Sequence, residues 1–317
     1  MDKEFWRRRL KEALSYRKTV VPDADACRIV FSESDFIPGL IVDRYGDHLV
    51  MQTLSLGAEN LIEIFKELLQ EELKPKSIIL RNDVSVRRLE GLQEEKKVLF
   101  GEKPDLIEVQ EGGVKYLVDI WEGHKTGSYL DQRENRLASA KFSGKRALDL
   151  FSYQGGFSLH LAKNFDKVTS VESSQSAVSG FKKNMELNNI RNIEIISENG
   201  FDVIKTYSKN NEKFDLIVLD PPAFAKSKKD LNAALRGYKE LNLRAIQALE
   251  KGGILITNSC SYNIGEEDFT GIIADAASDA KRNLNLIEKR IQSPDHPVRI
   301  TFPESFYLKC LVFRVVD

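Results

Sequence analysis

Apolar residues in the C-terminal two thirds of the chain occur in short runs, and longer stretches with helical periodicity separate these runs. Helical stretches of roughly ten to twenty residues alternate with five such runs, which are RALDLF, KVTSVE, IEIISEN, FDLIVLD and GGILITNS. A near-continuous apolar run predicts a strand buried on both faces. Its alternation with helices predicts a parallel sheet that is covered on both sides.

The end of the chain breaks this alternation. The runs LNLIEKRI and FYLKCLVFRVVD are separated by a loop without a strong helical pattern. The second run is therefore predicted to enter the sheet antiparallel, because a parallel connection needs a long crossover. The predicted fold class is α/β, with a mostly parallel seven-stranded sheet in which one strand is reversed.

The N-terminal sequence predicts a smaller α/β domain over residues 1–103, which is interpreted as a packing or docking module. It begins with the helical stretch FWRRRLKEAL, and GLIVDRYGDHLVMQ predicts a hairpin that turns at Tyr45-Gly46-Asp47. The polar segment from Gly101 to Gly113 is interpreted as a linker. A hairpin running into a helix is predicted from VKYLVDIWEGHKTGSYLDQRENR, within a second domain over residues 104–317.

Composition narrows the class of protein. The chain has 317 residues, of which 42% are hydrophobic and 30% charged, as in ordinary globular proteins. No apolar run approaches the roughly 20 residues that span a bilayer, and the start lacks the apolar core of a signal peptide, so a cytoplasmic location without membrane contact is expected. A net charge of -1 gives no global sign of a nucleic-acid partner. Three scattered cysteines argue against a disulfide framework or a paired zinc cluster, and no metal site is predicted.

Two strand ends favour an adenosine-containing cofactor. A glycine pair, Gly155-Gly156, follows the first strand of the sheet and lets the backbone approach a ligand. Glu172 ends the second strand about twenty residues later, where a carboxylate accepts hydrogen bonds from both ribose hydroxyls. The loop lacks the G-x-G-x-x-G spacing of NAD-binding proteins. Asn199, after the third strand, is placed to contact the adenine edge, although Asn-Gly is also a simple turn.

The segment FDLIVLDPPAFAKSK brings Asp220 to the carboxyl edge of the sheet. Pro221 and Pro222 then remove two backbone donors and force an extended path. The resulting lip exposes Asp220 to a flat substrate that hydrogen-bonds through a ring nitrogen or an exocyclic amine, and Phe224 offers a stacking face. The competing interpretation is a strand that ends at prolines, with an aspartate that caps the next helix.

Six motifs together resemble the bacterial ribosomal RNA methyltransferases that make 5-methylcytosine in the large subunit. They are GLIVDRYGDHLVMQ, GHKTGSYLDQRENR, LDLFSYQGGFSLH, DPPAFAKSK, ITNSCS and PDHPV, and the resemblance extends from Phe5 to Val316. It implies a class I, Rossmann-like methyltransferase fold, S-adenosylmethionine as cofactor and ribosomal RNA of the 23S type as partner. In that family an RNA-binding PUA domain precedes the matched part, and this sequence shows no counterpart. Gln154, Glu172 and Asn199 depart from the family, which more often shows threonine, aspartate and aspartate.

Cys260 decides the predicted chemistry. It follows the fifth strand, where a thiolate adds to carbon-6 of a pyrimidine and makes carbon-5 nucleophilic toward a methyl sulfonium. Lys125 or Lys226 is expected to favour the thiolate, because nearby cations lower a cysteine pKa. The competing interpretation is a buried structural cysteine. Cys27 and Cys310 lie in apolar patterns and are interpreted as core.

The predicted site combines these motifs with the hairpin-to-helix segment from Lys125 to Arg133, which resembles the family's flap over the cofactor. Cys260 and Asp220 are the predicted catalytic residues, and Pro221, Pro222, Phe224 and Lys226 are predicted to bind substrate. The predicted cofactor-binding residues are Tyr129, Asp131, Arg133, Asp149, Phe151, Ser152, Tyr153, Gly155, Gly156, Glu172, Ser173, Asn199, Gly200, Phe201 and Asp220.

Other sequence features carry weaker hypotheses. Short basic stretches at Arg7–Arg9, Arg87-Arg88 and 226–229 are candidates for phosphate contacts. His296 and Glu304 resemble family positions without a role that follows from their chemistry.

Three other functions stay open from sequence. A related RNA methyltransferase that modifies a guanine or adenine nitrogen needs the Asp-Pro-Pro lip but no cysteine. A non-catalytic RNA-binding assembly factor needs neither, and an NAD-linked oxidoreductase is the most distant alternative. A homodimer is a further hypothesis.

Overall fold

The computed structural model describes residues 2–224 and 230–317. These residues form two compact units. The first comprises Met1–Arg133 with Ser293–Ser305, and the second comprises Glu134–Gln292 with Phe306–Asp317. The division into domains near residue 103 stays a prediction.

The first unit contains a five-stranded sheet in the order β1-β2-β3-β4-β5. The predicted hairpin is present, because Tyr45 pairs with His48 across a two-residue loop in which Gly46 has φ +55°. The elements up to residue 101 are α1 (Lys3–Val20), β1 (Ala26–Phe31), β2 (Leu40–Tyr45), β3 (His48–Thr53), α2 (Leu56–Glu59), α3 (Ile62–Leu73), β4 (Ser77–Arg81) and β5 (Lys96–Gly101).

The second half of the segment interpreted as a linker is ordered β structure, so that interpretation is wrong from Ile107 onward. Strands β6 (Ile107–Glu111) and β7 (Val114–Val118) form an antiparallel hairpin. Alternate residues of the hairpin, including Ile107 and Val109, are buried in one cluster with Tyr45. Within β6, the polar residues Glu108 and Gln110 are the solvent-facing half of this alternation.

The second unit contains the predicted seven-stranded sheet, in the order β10-β9-β8-β11-β12-β14-β13 among the described residues. Every neighbouring pair is parallel except the two pairs made by β14, which runs antiparallel to β12 and β13. The strands are β8 (Gly144–Leu150), β9 (Phe165–Val171), β10 (Ile193–Ile196), β11 (Phe214–Leu219), β12 (Leu249–Ser259), β13 (Leu284–Arg290) and β14 (Lys309–Val315). The predicted fold class is confirmed.

The helices follow the strands in the predicted alternation. They are α4 (Arg133–Ser139), α5 (Gly156–Leu161), α6 (Gln175–Leu187), α7 (Gly200–Lys209), α8 (Leu231–Gln247) and α9 (Glu266–Asp279). The core of one sheet face includes Leu150, Leu219, Leu241 and Phe269. Because the chain moves from β8 outward to β10 and then returns to β11, the strand order reverses beside β8. In open α/β sheets, ligands bind at the carboxyl ends of the strands at such a reversal.

No helix in the described part of the chain combines the length and apolar character needed to cross a bilayer.

Candidate functional site

The loop after β8 is built from left-handed residues. Phe151, Tyr153 and Gly155 have φ of +67°, +48° and +88°. Two of them carry side chains, for which this region is strained, and such strain concentrates at functional sites. The amides of Phe151 and Ser152 both donate to the Val171 carbonyl, at 3.0 and 3.1 Å. The loop is therefore drawn over the carboxyl end of β9.

This path brings the loop to Glu172. The amide of Tyr153 donates to Glu172 Oε2 at 2.9 Å, and the amide of Ser174 donates to Oε1 at 2.7 Å. Ser173, between them, is exposed. Two backbone donors fix the half-buried carboxylate, while each oxygen keeps a further lone pair for another donor. A carboxylate held in this way fits a vicinal diol such as a ribose.

The glycine pair is required by packing. A Cβ at Gly155 would lie 2.2 Å from the Phe181 ring, and one at Gly156 would lie 2.8 Å from Cδ of Arg136. The close approach at both positions is to neighbouring side chains of the second unit. The pair therefore fixes the loop, whatever ligand the loop holds.

Asp149 is fully buried on β8, just before the loop. Its Oδ2 accepts hydrogen bonds from the amide and the hydroxyl of Ser158, at 3.0 and 2.5 Å. Burial raises the pKa of Asp149 to about 7, and the negative charges of Asp220 and Glu172 add to the rise. Asp149 Oδ1 is buried without a hydrogen-bond partner in the described part of the chain. An unpaired buried oxygen beside the loop is a feature that a bound ligand with a donor group would satisfy.

Asn199 caps helix α7 by accepting the Phe201 amide at 2.9 Å through Oδ1. This contact is the turn-forming one, and the predicted contact of the Asn199 amide with adenine stays a prediction. Gly200 and Phe201 lie against the loop, because a Cβ at Gly200 would lie 2.9 Å from the Phe151 ring and the rings of Phe151 and Phe201 meet edge to face with centroids 6.0 Å apart.

Asp220 follows β11 and is half-buried, with its amide 3.4 Å from the Leu150 carbonyl at the end of β8. Pro221 is buried and Pro222 is exposed. The Phe224 ring is half-buried and packs between Phe201 and Tyr238, with centroids 5.6 and 4.6 Å away. Lys226 lies outside the described residues.

Cys260 follows directly after the last residue of β12 and is half-buried. Burial raises the pKa of Tyr238 to about 12 and lowers that of Lys309 to about 8, and a negative charge at Cys260 acts to raise both pKa values. Burial also raises the pKa of Cys310 to about 12, and the negative charge of Asp220 adds to the rise at Tyr238 and at Cys310. Because β11 and β12 are parallel neighbours, Asp220 and Cys260 lie at the same carboxyl edge.

The predicted flap residues belong to the first unit up to Arg133. Lys125 Nζ forms an ion pair with the buried Asp131 at 2.7 Å, and it lies 4.5 Å from the centroid of the Tyr129 ring. The carbonyl of Asp131 accepts the Ser293 amide at 2.8 Å. Lys125 therefore has a carboxylate partner within its own unit.

Other candidates have structural partners in the first unit. Buried Arg87 donates to the Thr53 carbonyl and to Glu59, at 2.5 and 2.9 Å, so the prediction of a phosphate contact is wrong for this residue. His296 is buried, and its Nδ1 lies 2.9 Å from Oδ1 of Asp295. Glu304 is exposed.

The sequence interpretation passed over three polar side chains of this edge. Ser158 holds Asp149, Asn258 donates to the Leu219 carbonyl at 3.0 Å, and Lys309 lies within β14. Of these three residues, only Lys309 had a signal in the sequence, because it is a lysine inside the apolar run FYLKCLVFRVVD. Ser158 lies inside helix α5 and its partner Asp149 lies on β8, so no local sequence pattern indicates their contact.

The family model for S-adenosylmethionine-dependent methyltransferases matches residues 89–314. The ribosomal RNA large subunit methyltransferase I of Aeromonas salmonicida is 45% identical over 321 residues, which cover 99% of this chain and 81% of that protein. The protein of the same name from Escherichia coli O157:H7 is 43% identical over 323 residues, covering 100% of this chain and 82% of the relative.

Solved structures show the same fold. SMU.776, described as a methyltransferase and complexed with SAH, superposes with a TM-score of 0.87 at 22% identity, covering 99% of this chain and 82% of that one. Trm5b from Pyrococcus abyssi gives 0.62 at 18% identity, over 86% and 73% of the two chains. The sequence matches carry the assignment: the chain belongs to the S-adenosylmethionine-dependent methyltransferase family, and S-adenosylmethionine is its cofactor and methyl donor.

Proposed function

We propose that this enzyme methylates carbon-5 of a cytosine in large-subunit ribosomal RNA through a covalent adduct with Cys260. The observation that carries the proposal is the placement of Cys260 and Asp220 after the parallel strands β12 and β11, at the edge that also holds Glu172. The curated relatives, named as ribosomal RNA large subunit methyltransferases, support the substrate class. A homodimer and a cytoplasmic location stay predictions.

The cofactor-binding part of the proposal uses the loop residues and Glu172. Glu172 accepts hydrogen bonds from the ribose hydroxyls, and the residues from Phe151 to Gly156 form the adjoining wall. Asn199 and Phe201 lie where the adenine is expected. When bound, the cofactor supplies an electrophilic methyl group on a sulfonium.

The reaction begins with the Cys260 thiolate. Its sulfur adds to carbon-6 of the cytosine and forms a carbon–sulfur bond, while the electron pair of the 5,6 double bond moves to carbon-5. Carbon-5, made nucleophilic in this way, would then take the methyl group that bound S-adenosylmethionine supplies, with S-adenosylhomocysteine as the leaving group. A base removes the proton from carbon-5, and the returning electron pair expels the Cys260 thiolate. Asp220 holds the polar edge of the cytosine throughout, and Pro221 and Pro222 fix the backbone of Asp220.

The principal alternative is a methyltransferase of the same fold that modifies a nitrogen of the nucleobase. The two reactions differ in whether the proton on cytosine carbon-5 is released. RNA labelled with tritium at cytosine carbon-5 is expected to release tritium in step with methyl transfer, and digestion is expected to yield 5-methylcytidine. Methylation without tritium release would refute transfer to carbon-5. It would favour the nitrogen alternative.

Variants test the covalent step. Cys260→Ala is expected to lose methyl transfer by at least about 1,000-fold while it still binds S-adenosylhomocysteine, because the thiol forms no part of the cofactor contacts. The matched control is Cys310→Ala, which removes a buried thiol of the adjacent strand β14. RNA with 5-fluorocytosine is expected to trap the wild-type protein and the control, but not Cys260→Ala. Loss of S-adenosylhomocysteine binding by every variant would instead report a folding defect.

A further inference from the structure

Lys309 is a buried lysine of β14 beside the strand that leads to Cys260. It pairs in register with Ser259, and it is only 3% exposed. Its Nζ donates to the Ser261 carbonyl at 2.8 Å and to the Tyr307 carbonyl at 2.9 Å. Since Ser259 and Ser261 flank Cys260, the ammonium is fixed against the turn that carries the thiol.

Burying an ammonium is costly unless an anion or several dipoles compensate it. Burial lowers the pKa of Lys309 to about 8, and the negative charge of Cys260 opposes that decrease. Among the residues that the structure describes, Nζ donates to two neutral carbonyls and forms no ion pair with a carboxylate. The thiolate of Cys260 is thus the negative charge that acts on this cation.

Three other titratable groups around Cys260 supply no positive charge. Asp220 follows β11 and adds a negative charge, while Tyr238 of α8 and Cys310 of β14 are buried and carry raised pKa values, each of about 12. These two groups are therefore neutral at physiological pH. A cation is needed to offset the repulsion between Asp220 and an ionised Cys260.

We propose that Lys309 is a positioning residue that stabilises the Cys260 thiolate and fixes the turn on which the thiol is carried. The inference rests on the proposed function, in which that thiolate adds to carbon-6 of the base. Of the two cations expected from the sequence, Lys125 is paired with Asp131, and Lys226 lies outside the described residues.

The test measures the thiol directly and needs no RNA. The rate of Cys260 alkylation by iodoacetamide is followed from pH 5 to pH 10 by peptide mass spectrometry on the full chain. Lys309→Met removes charge and donors, Lys309→Gln keeps a donor without charge, and Lys309→Arg keeps the charge. The matched control is Lys213→Met, since Lys213 also has a pKa lowered by burial and donates to a carbonyl, that of Gln247, at 2.6 Å.

The midpoint of the alkylation curve is expected to rise by about one pH unit or more in Lys309→Met and Lys309→Gln, which makes the rate at pH 7 about tenfold lower. Lys309→Arg and Lys213→Met are expected to keep the wild-type midpoint. An unchanged midpoint in folded Lys309→Gln would overturn the inference, as would a lower rate at every pH without a midpoint shift. If the tritium and trapping assays fail but the midpoint still moves, the proposed function falls and the electrostatic role of Lys309 remains.

Discussion

Asn258 Nδ2 donates to the Leu219 carbonyl at 3.0 Å. Leu219 is the last residue of β11 and precedes Asp220, whereas Asn258 lies two residues before Cys260. Both partners of this bond are buried. One side chain therefore joins the two strand ends that carry the proposed catalytic residues, so that the positions of Asp220 and Cys260 depend on each other.

Asn258→Ala is expected to lower kcat/KM for RNA methylation by about tenfold or more, because a displacement of either strand end misplaces a reacting group. It leaves the Leu219 carbonyl unsatisfied, at about 1–3 kcal/mol of unfolding free energy. The control is Asn192→Ala, which removes bonds to the Ala162 and Phe165 carbonyls at the opposite end of the strands. Steady-state kinetics and urea unfolding of both variants would check this. An equal loss of kcat/KM in the control would show that stability alone governs the effect.

Glu172→Gln is expected to raise the Kd for S-adenosylhomocysteine by about tenfold or more. The carboxamide presents one oxygen where the carboxylate presents two, so a contact with either the Tyr153 or the Ser174 amide is lost together with the charge that binds the ribose. Calorimetry measures this change. Glu194→Gln serves as the control, because Glu194 is exposed on β10 and pairs with Lys167. Wild-type affinity in Glu172→Gln would remove Glu172 from the cofactor site.

Asp149→Asn is expected to alter how stability depends on pH. The pKa of Asp149 in the folded protein, about 7, lies above its unfolded value near 4, so ionisation of the buried carboxyl destabilises the fold as the pH rises between these values. The unfolding free energy of the variant relative to wild type is therefore expected to increase from pH 4 to pH 7.5, by at most about 1.4 kcal/mol per pH unit. Urea unfolding at several pH values measures the difference. A difference that does not change with pH would contradict the raised pKa.

Gly155→Ala is expected to destabilise the protein and weaken cofactor binding. The left-handed φ of +88° costs an alanine about 1–2 kcal/mol, and its Cβ meets the Phe181 ring at 2.2 Å, which forces the loop or the ring to shift. Gly271→Ala is the control, since Gly271 lies in α9 with nothing within 4 Å of the added Cβ, and a gain of about 0.5–1 kcal/mol is expected there. Thermal unfolding with and without S-adenosylhomocysteine checks both variants. Normal stability in Gly155→Ala would mean that the loop adapts freely.

Local patterns predicted the elements and the class of the fold. The runs before Glu172 and Asp220 became β9 and β11, and the loop without a helix before FYLKCLVFRVVD correctly indicated the reversed strand β14. The polar residues between Gly101 and Gly113 led to the prediction of a linker where strand β6 lies, because a hairpin with one buried face is half polar.

The sequence by itself determined which residues end the parallel strands, and therefore which side chains meet at one edge, because strand direction and side-chain period are local properties. Only the tertiary structure decided what surrounds them. Ser259 and Lys309 are fifty positions apart along the chain and become neighbours through strand pairing. Such pairing sets the distance between two charged groups, and packing sets how deeply they are buried. A local sequence pattern encodes neither the distance nor the burial, so the cation beside Cys260 became visible only in the folded chain.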